Sequence, residues 1–430
     1  MAGLDPVNIE LINTGSELLL GRVLNTHAQW LCRQLADLGH TVARQVTVDD
    51  SGPAIEAAVH EALGRADLII TTGGLGPTSD DRTRDLIAAL LGRPLRMDTA
   101  ALDHVVQFFA SRQRPVPEST KVQSLVPEGA EVLMNAHGTA PGLIIETAPG
   151  QFRAGKNCLV MLPGPPRELR PMFTNQVVPV LEKRFPLETA FVCRTLKTTG
   201  LGESRLEEII VGPLQHLTVA GLELGYCART GEVDLRFVAR GGGAAELVAG
   251  AERIVRGLVP ENIYGVDDDQ LEAVIVQLLA EKKQTLALAE SCTGGQIANR
   301  LTNVPGASAV LWGGLVTYSN EAKVKLLGMP AATLAQHGAV SEETARAMAE
   351  GARKVSGADH ALAVTGIAGP SGGSEAKPVG TVFIARATPD QTVVLRCYNR
   401  YDRETFKHVT SQQALELLRR GLLDNEKPAS

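Results

Sequence analysis

Aromatic side chains are scarce in this sequence, because Phe, Trp and Tyr together make up only 4% of its 430 residues. The hydrophobic cores must therefore be built from Leu, Val, Ile and Ala. The overall hydrophobic content of 44% supplies enough of them for more than one core. At roughly 150 residues per domain, the length predicts about three domains.

Cysteine is also rare, and its spacing excludes several uses. The six cysteines lie far apart, and none belongs to a Cys-x-x-Cys pair. This spacing argues against a structural zinc site and favours a reducing compartment. The start, MAGLDPVNIE, has no basic segment followed by an apolar stretch, and no apolar run approaches the roughly 20 residues that span a bilayer. We therefore expect a cytoplasmic protein with no membrane partner.

Long basic segments are missing as well. The 42 basic and 48 acidic side chains give a formal net charge of -6. Affinity for nucleic acid grows with the number of phosphates that a protein neutralises, so this balance predicts no direct nucleic-acid partner.

The order of strand-like and helix-like patterns predicts an α/β protein with three parts. Residues 1–184 alternate strands and helices, which is typical of a doubly wound, mostly parallel sheet. Residues 185–266 read as a small α+β module. Residues 267–430 return to an α/β pattern, with a strand predicted over 308–318, and the terminal segment DNEKPAS is expected to fray.

The strongest local signal in the first part is the segment TGGLGPTSDD, which follows an apolar strand. Its glycines allow backbone N–H groups to approach a phosphate closely. Its two aspartates can hold a divalent cation against that phosphate or simply cap the following helix. The candidate phosphate-binding residues are Gly73, Gly74, Gly76 and Thr78, and the candidate metal ligands are Asp80 and Asp81.

Two further loops are expected beside it. Gly15, Ser16 and Glu17 follow the first strand, and Gly164 lies in a Pro-Gly-Pro-Pro turn after another apolar strand. Each is an ordinary turn when taken alone. In a doubly wound sheet all three loops leave the same edge, where ligands bind.

These segments, TGSELLLG, TGGLGPTSDD and LPGPP, resemble the molybdopterin-binding domain of molybdenum-cofactor biosynthesis proteins and of the CinA (competence/damage-inducible) family. The resemblance implies hydrolysis of ADP-ribose to AMP and ribose 5-phosphate, with Mg2+, Mn2+ or Co2+ as cofactor. The middle segment KTTGLGESRLEEII is similar to the KH-like domain of the same family. Its Gly-Leu-Gly-Glu turn is not the G-x-x-G clamp that holds RNA, and the adjoining helix is acidic.

Four blocks in the third part combine turns with small polar residues: AESCTGG, VPGAS, VTYSNEAK and TGIAGPSGGSEAKPVGT. Together they resemble the CinA C-terminal domain. The resemblance implies hydrolysis of nicotinamide mononucleotide to nicotinic acid mononucleotide and ammonia without a cofactor, in a homodimer. The whole chain then reads as a bifunctional enzyme of pyridine-nucleotide recycling. Two alternatives remain: a first domain that only binds a pterin or nucleotide, and an adaptor in competence or the DNA-damage response.

The chemistry of the third part requires a nucleophile and a base. A buried lysine can activate a serine, and the resemblance favours Ser308 as nucleophile, with Tyr318 and Lys323 as its partners. Ser291 is the competing nucleophile. The alternative role of Ser291 is a phosphate or oxyanion cradle shared with Thr293, Gly294 and Gly295 at a helix start. Direct attack by water, or by Cys292, stays open.

Three more residues complete the predicted substrate site. Thr365 and Gly366 end a strand before a glycine-rich loop. Arg403 matches a Gly-Asp-Arg corner of the family, although Tyr401 replaces the glycine. Arginine suits a bidentate phosphate contact, and the competing interpretation is a surface ion pair with Asp402 or Glu404.

Overall fold

The computed structural model describes residues 7–424. The chain divides into two compact units, Met1–Phe191 and Val192–Ser430. Apart from Asp424, the segment predicted to fray lies outside the described residues. Within them, no helix combines the length and apolar character needed to cross a membrane.

The first unit contains eight strands and seven helices within its described residues. The strands are β1 Ile9–Thr14, β2 Val42–Val48, β3 Leu68–Thr72, β4 Leu95–Met97, β5 Leu125–Pro127, β6 Glu131–Leu133, β7 Gly142–Glu146 and β8 Cys158–Leu162. The helices are α1 Ser16–Leu19, α2 Thr26–Asp37, α3 Gly52–Leu63, α4 Thr83–Leu90, α5 Thr99–Ala110, α6 Pro166–Met172 and α7 Val178–Arg184.

The main sheet of this unit has the strand order β2-β1-β3-β8-β7-β6. The first four strands are parallel to one another, β7 is antiparallel to β8, and β6 is antiparallel to β7. Successive residues of β1 and β3 face opposite sides, so Leu11 and Ile70 enter one core while Ile12 and Ile69 enter another. Helices therefore cover both faces, which confirms the doubly wound prediction. The carboxyl ends of β1, β3 and β8 lie side by side.

The second unit begins with a small α+β segment and continues into a larger α/β segment. Its strands are β9 Phe191–Thr199, β10 Glu223–Arg229, β11 Glu232–Arg240, β12 Ile263–Val266, β13 Leu286–Glu290, β14 Leu311–Val316, β15 His360–Gly366, β16 Thr381–Ala387 and β17 Thr392–Tyr398. Its helices are α8 Glu203–Val219, α9 Ala244–Leu258, α10 Leu271–Lys282, α11 Gln296–Thr302, α12 Asn320–Leu327, α13 Ala331–His337, α14 Glu342–Ser356 and α15 Arg403–Asp424.

The larger sheet has the order β14-β13-β15-β16-β17. Strands β14, β13 and β15 are parallel to one another. Strand β16 is antiparallel to β15, and β17 is antiparallel to β16. Along β13, Leu286 and Leu288 face the core beneath α10, α11 and α15, while Ala287 and Ala289 face the core beneath α14. The small side chains on that second face let α14 approach the sheet closely.

The strand predicted over 308–318 is shorter in the structure. Residues Ala307–Ala309 form a single 3-10 turn, and β14 begins only at Leu311. Gly306, in a left-handed conformation, precedes that turn. The prediction of a strand at Ser308 was therefore wrong, because the Pro-Gly turn before it extends further than the apolar pattern indicates.

Substitution of two helical glycines by alanine should change the free energy of unfolding in opposite directions. A Cβ on Gly351 of α14 would lie 2.3 Å from the Leu327 carbonyl oxygen, so Gly351→Ala should destabilise the protein by about 1–3 kcal/mol through overpacking. Gly212 of α8 has open space around its Cβ position, so Gly212→Ala should gain up to about 1 kcal/mol of helix propensity. Denaturant unfolding of both variants checks this. Equal changes in unfolding free energy for the two variants would contradict the close packing of α12 against α14.

Candidate active sites

A serine and a lysine meet at the carboxyl edge of the β14-β13-β15 sheet. Ser291 directly follows β13, and Lys323 lies in α12, which follows β14. The Lys323 Nζ atom is 3.0 Å from Ser291 Oγ. Only 1% of Lys323 is exposed and only 8% of Ser291, so the contact is shielded from bulk water. This is the geometry of a nucleophile beside its base.

The surroundings of Lys323 favour an uncharged amine. Nζ donates to the carbonyl oxygens of Thr317, at 2.9 Å, and Tyr318, at 3.3 Å. A neutral amine has two N–H donors and one lone pair. The same three oxygens can accept the three N–H groups of an ammonium; in the deprotonated amine, with the two carbonyls taking its donors, the lone pair faces the Ser291 hydroxyl. Within residues 7–424, Lys323 forms no ion pair with a carboxylate that would hold its charge.

Burial acts in the same direction. It lowers the pKa of Lys323 below the ordinary lysine value, because the ammonium form loses its hydration. The nearby Cys292 opposes this shift only as the smaller cause. Lys323 is therefore suited to accept a proton at a pH where an exposed lysine is charged.

The pairing of Ser308 with Lys323, predicted from sequence, does not occur in the structure. Ser308 is exposed and precedes β14, whereas Lys323 follows it. In the parallel register Leu311 pairs with Leu286 at one end and Val316 pairs with Glu290 at the other. The strand between them separates Ser308 from the pair by roughly 17 Å. The competing prediction, Ser291, is the serine that the lysine contacts.

The predicted anion cradle at the start of α11 is occupied by a side chain of the protein itself. The Glu290 carboxylate, 1% exposed, accepts the backbone N–H groups of Gly295 at 3.0 Å, Ile297 at 3.2 Å and Ala298 at 2.9 Å. The Gly294 N–H donates to the Ser291 carbonyl oxygen at 3.1 Å. These donors are unavailable to a phosphate, and a buried carboxylate would repel one. The assignment of Gly294 and Gly295 as an anion cradle is therefore corrected.

The remaining predicted residues of this edge play different parts. Thr293 is fully buried, and its hydroxyl has no partner among residues 7–424. Thr365, at the end of β15, is 1% exposed and donates to the Ala339 carbonyl oxygen at 2.6 Å. A Cβ on Gly366 would lie 2.9 Å from the Thr381 carbonyl oxygen, so Gly366 permits the close pairing of β15 with β16. Thr365 and Gly366 thus shape the edge beside Ser291.

Tyr318 and Arg403 lie at the rim of the site. Tyr318 is 60% exposed, and its hydroxyl accepts from Arg403 Nη2 at 2.7 Å. Arg403 also donates through Nη1 to the Gly369 carbonyl oxygen at 2.8 Å. The alternative of an ion pair with Asp402 is wrong, because that carboxylate instead accepts the N–H groups of Glu404 and Thr405 at the start of α15. Tyr318 orients Lys323 through its backbone carbonyl and not through its hydroxyl.

Cys292 is not suited to be the nucleophile. Burial raises the pKa of its thiol to about 12, so the reactive thiolate is scarce near neutral pH. His360 begins β15 and therefore lies at the amino edge of the sheet, where its ring nitrogen contacts the Gln284 side chain at 3.0 Å. The Nδ1 atom of another histidine, His337, lies 3.3 Å from a carboxylate oxygen of Glu343.

A second candidate site lies in the first unit, at the corresponding edge of its own sheet. A cavity of about 370 Å³ opens between the loop after β3, the loop before β7 and the loop after β8. Four of the sequence-predicted residues line it, namely Gly74, Gly76, Asp81 and Gly164. The cavity also takes in residues that the sequence did not single out, Phe108, Gln123, Gly138, Arg167 and Glu168.

The other predicted residues of this edge support the loops without lining the cavity. Ser16 donates to the Asp50 carboxylate through its backbone N–H at 2.8 Å and its hydroxyl at 2.9 Å. The Gly15 N–H donates to the Val48 carbonyl oxygen at 3.0 Å, and Glu17 lies in the short helix α1. A Cβ on Gly73 would lie 2.9 Å from the Thr14 carbonyl oxygen, so this glycine joins the two loops closely.

Two supporting residues were missed by sequence reasoning. The His27 side chain in α2 donates through Nε2 to the Gly164 carbonyl oxygen and ties down the proline-rich loop. Glu168 is a buried carboxylate that accepts from Asn135 at 2.8 Å, and a Cβ on Gly138 would lie 2.2 Å from it. The available signal was the order Pro-Gly-Pro-Pro-Arg-Glu, which places an acid in the first turn of α6.

The predicted metal ligands Asp80 and Asp81 differ in their position relative to the cavity. Within residues 7–424, no group of three or more His, Cys, Asp or Glu side chains is placed to hold a metal on its own. Mg2+ is commonly bound by only one or two carboxylates together with substrate phosphates. Asp81 lines the cavity and accepts the Thr78 N–H at 3.0 Å and the Thr78 hydroxyl, while Asp80 is exposed beside it.

Fold and sites together define a mixed α/β protein with a glycine-lined cavity at one sheet edge and a buried serine–lysine pair at another. Three family models match in order: "Probable molybdopterin binding domain" over residues 10–183, "Damage-inducible protein CinA KH domain" over 193–265 and "CinA C-terminal domain" over 268–422. The chain belongs to the CinA family, as the resemblance predicted.

Relatives match along almost the whole length. A protein named as competence-damage inducible from Caldicellulosiruptor bescii is 46% identical over 418 residues, which cover 96% of this chain and 99% of the relative. A CinA-like protein of Akkermansia muciniphila is 44% identical over 420 residues, covering 97% of each. Among solved structures, the competence/damage inducible protein CihA of Agrobacterium tumefaciens is 42% identical, with a TM-score of 0.35, and covers 36% of this chain and 93% of its own.

The buried amine of Lys323 should make stability depend on pH. Below the ordinary lysine value near 10.5, the unfolded chain binds a proton at this position more readily than the folded chain. Stability therefore falls as pH falls from 10.5 towards the lowered pKa, by at most about 1.4 kcal/mol per pH unit. The Lys323→Met variant has no ionisable group at this position and does not lose stability in this way. Its unfolding free energy relative to the parent should therefore rise as pH falls across that range.

Denaturant unfolding between pH 7 and pH 10 measures this difference. Lys325→Met is the matched control, because Lys325 lies on the same helix, is exposed and pairs with Glu321 at 2.6 Å. If the difference in unfolding free energy between Lys323→Met and the parent does not change with pH, the Lys323 amine is charged in the folded parent protein.

Proposed function

We propose that the C-terminal domain hydrolyses the carboxamide of nicotinamide mononucleotide to nicotinic acid mononucleotide and ammonia. The observation that carries this proposal is the 3.0 Å contact of Lys323 Nζ with Ser291 Oγ, with both remaining amine donors taken by backbone carbonyls. Amide hydrolysis needs an activated nucleophile and an acid for the departing amine. The serine–lysine pair supplies both. The family resemblance provides the substrate.

In the first half-reaction, Ser291 Oγ attacks the carboxamide carbon while its proton passes to the lone pair of Lys323. The resulting ammonium then gives a proton to the amide nitrogen, which leaves as ammonia when the C–N bond breaks. The product is an ester between Ser291 and the nicotinoyl group. Because the lysine returns to its neutral form, it is ready for the second half-reaction.

In the second half-reaction, a water molecule gives a proton to Lys323 and attacks the ester carbon. The C–O bond to Ser291 breaks, and the lysine returns the proton to the serine oxygen. The acid product then leaves. Developing negative charge on the carbonyl oxygen calls for an N–H donor. The Thr293 N–H, two residues after the nucleophile, has no acceptor within residues 7–424 and is our candidate for that role.

For the N-terminal domain we propose hydrolysis of ADP-ribose to AMP and ribose 5-phosphate. The cavity supports this assignment, because its glycine-rich wall brings backbone close to a diphosphate while Asp81 presents a carboxylate. A bound Mg2+, Mn2+ or Co2+ would neutralise phosphate charge there and polarise a phosphoryl oxygen. Asp81, with Asp80 beside it, would hold that ion, and Thr78 keeps the Asp81 carboxylate in place. A domain that binds a nucleotide without cleaving it is the alternative.

The choice of nucleophile is tested by two matched serine variants. Ser291→Ala should lower ammonia release from nicotinamide mononucleotide by about 10³-fold or more, because the attacking atom is removed. Ser308→Ala should retain parental activity, since Ser308 lies at the opposite sheet edge. Full activity in Ser291→Ala together with loss in Ser308→Ala would overturn the assignment. No release from the parent protein would overturn the proposed reaction.

The N-terminal proposal is tested with Asp81→Asn. AMP release from ADP-ribose should fall by about 100-fold or more, and more Mn2+ should be needed for half-maximal rate, because one anionic ligand is lost. Asp103→Asn, at an exposed position of α5, should behave as the parent. Calorimetric binding of ADP-ribose to Asp81→Asn shows whether the cavity stays formed. Binding without turnover in the parent, with each of the three metals, would instead indicate a binding domain.

A further inference from the structure

The C-terminal site needs another place for the phosphate of its proposed substrate. A phosphate monoester carries a charge of about -1.5 to -2 near pH 7. The start of α11 cannot accept it, because Glu290 already occupies the N–H groups of Gly295, Ile297 and Ala298. The phosphate must therefore be met by cationic side chains around the mouth of the site.

Two such side chains stand on one face of α15. Arg403 begins the helix and Lys407 follows one turn later, so the two side chains are neighbours on its surface. Lys407 is half-buried, and its Nζ lies 3.8 Å from the position of a Cβ on Gly294. Gly294 is exposed and belongs to the loop that carries Ser291. Lys407 thus places its charge beside the nucleophile loop.

Neither cation is neutralised by a carboxylate. The Arg403 guanidinium donates to the Gly369 carbonyl oxygen and to the Tyr318 hydroxyl, both of which are uncharged. Lys407 has no hydrogen-bond or ion-pair partner within residues 7–424. The neighbouring Asp402 is engaged by the first N–H groups of α15. Two positive charges therefore remain for an anion that approaches the mouth of the site.

We propose that Lys407, together with Arg403, binds the phosphate monoester of the substrate and makes this site selective for a nucleotide over the corresponding nucleoside. The inference rests on the proposed deamidation, and it assigns to Lys407 a role in binding that the sequence did not indicate. The amide end of the substrate lies at Ser291, and its phosphate end lies against α15.

The first test compares two substrates that differ only in the phosphate, nicotinamide mononucleotide and nicotinamide riboside. In Lys407→Met, kcat/KM for the mononucleotide should fall about 10- to 100-fold, chiefly through KM, as expected for one lost charge-assisted hydrogen bond. Activity on the riboside should not change, and Lys407→Arg should retain most activity on the mononucleotide. Equal losses on both substrates, or no loss on the mononucleotide, would overturn the proposal.

A second measurement separates this proposal from the proposed reaction. Binding of inorganic phosphate to Ser291→Ala, followed by calorimetry, requires no turnover. It should weaken about 10-fold or more when Lys407→Met is added, and should persist with Lys407→Arg. Lys354→Met, at an exposed position of α14, is the control. Unchanged phosphate binding would overturn the proposal. Lysine-dependent binding in a protein that does not deamidate would uphold the anion site and reject the reaction.

Discussion

The C-terminal site depends on one lysine amine that is held away from water. Lys323 is 1% exposed, and two backbone carbonyls take its donors. An ammonium in that position loses hydration and pairs with no carboxylate among residues 7–424, and burial therefore lowers the pKa of Lys323. Burial of this amine is energetically unfavourable, and contacts of neighbouring residues hold α12 in place around it. Ser319 caps α12 by accepting the Ala322 N–H at 3.0 Å, and Gly351 lets α14 pack closely against the end of α12.

The two candidate sites use the same feature of α/β sheets in different ways. Each lies where neighbouring parallel strands end at one edge, which is where ligand sites form in such sheets. In the first unit the loops after β3 and β8 open into a cavity whose lining combines glycines, the carboxylates of Asp81 and Glu168, Arg167 and apolar side chains. In the C-terminal domain the equivalent loop is filled from within by Glu290, whose carboxylate neutralises the start of α11. That edge is consequently suited to present a nucleophile and not an anion cradle.

Three separate elements contribute the side chains around Ser291. Glu290 fixes the loop that carries Ser291 through three backbone hydrogen bonds, and Lys323 approaches from a different strand connection. Of the cationic residues of α15, Lys407 lies beside the same loop, while Arg403 contacts Tyr318 and Gly369. Because the three contributions belong to separate elements, substitution at α15 can leave the serine–lysine contact in place.

The sequence by itself determined the family, the order of α/β, α+β and α/β segments, and the loops that form the two sites. Those properties follow from local patterns: apolar strands such as Cys158–Leu162 and glycine turns at strand ends. It also singled out Lys323 as the candidate base. Only the tertiary structure places Ser291, and not Ser308, beside Lys323, because this depends on which end of β14 each serine occupies relative to α12. The same holds for Glu290 and Lys407. Glu290 contacts a helix start only five to eight residues further on, but the conformation of the turn between them decides that contact, whereas Lys407 contacts a loop distant in sequence.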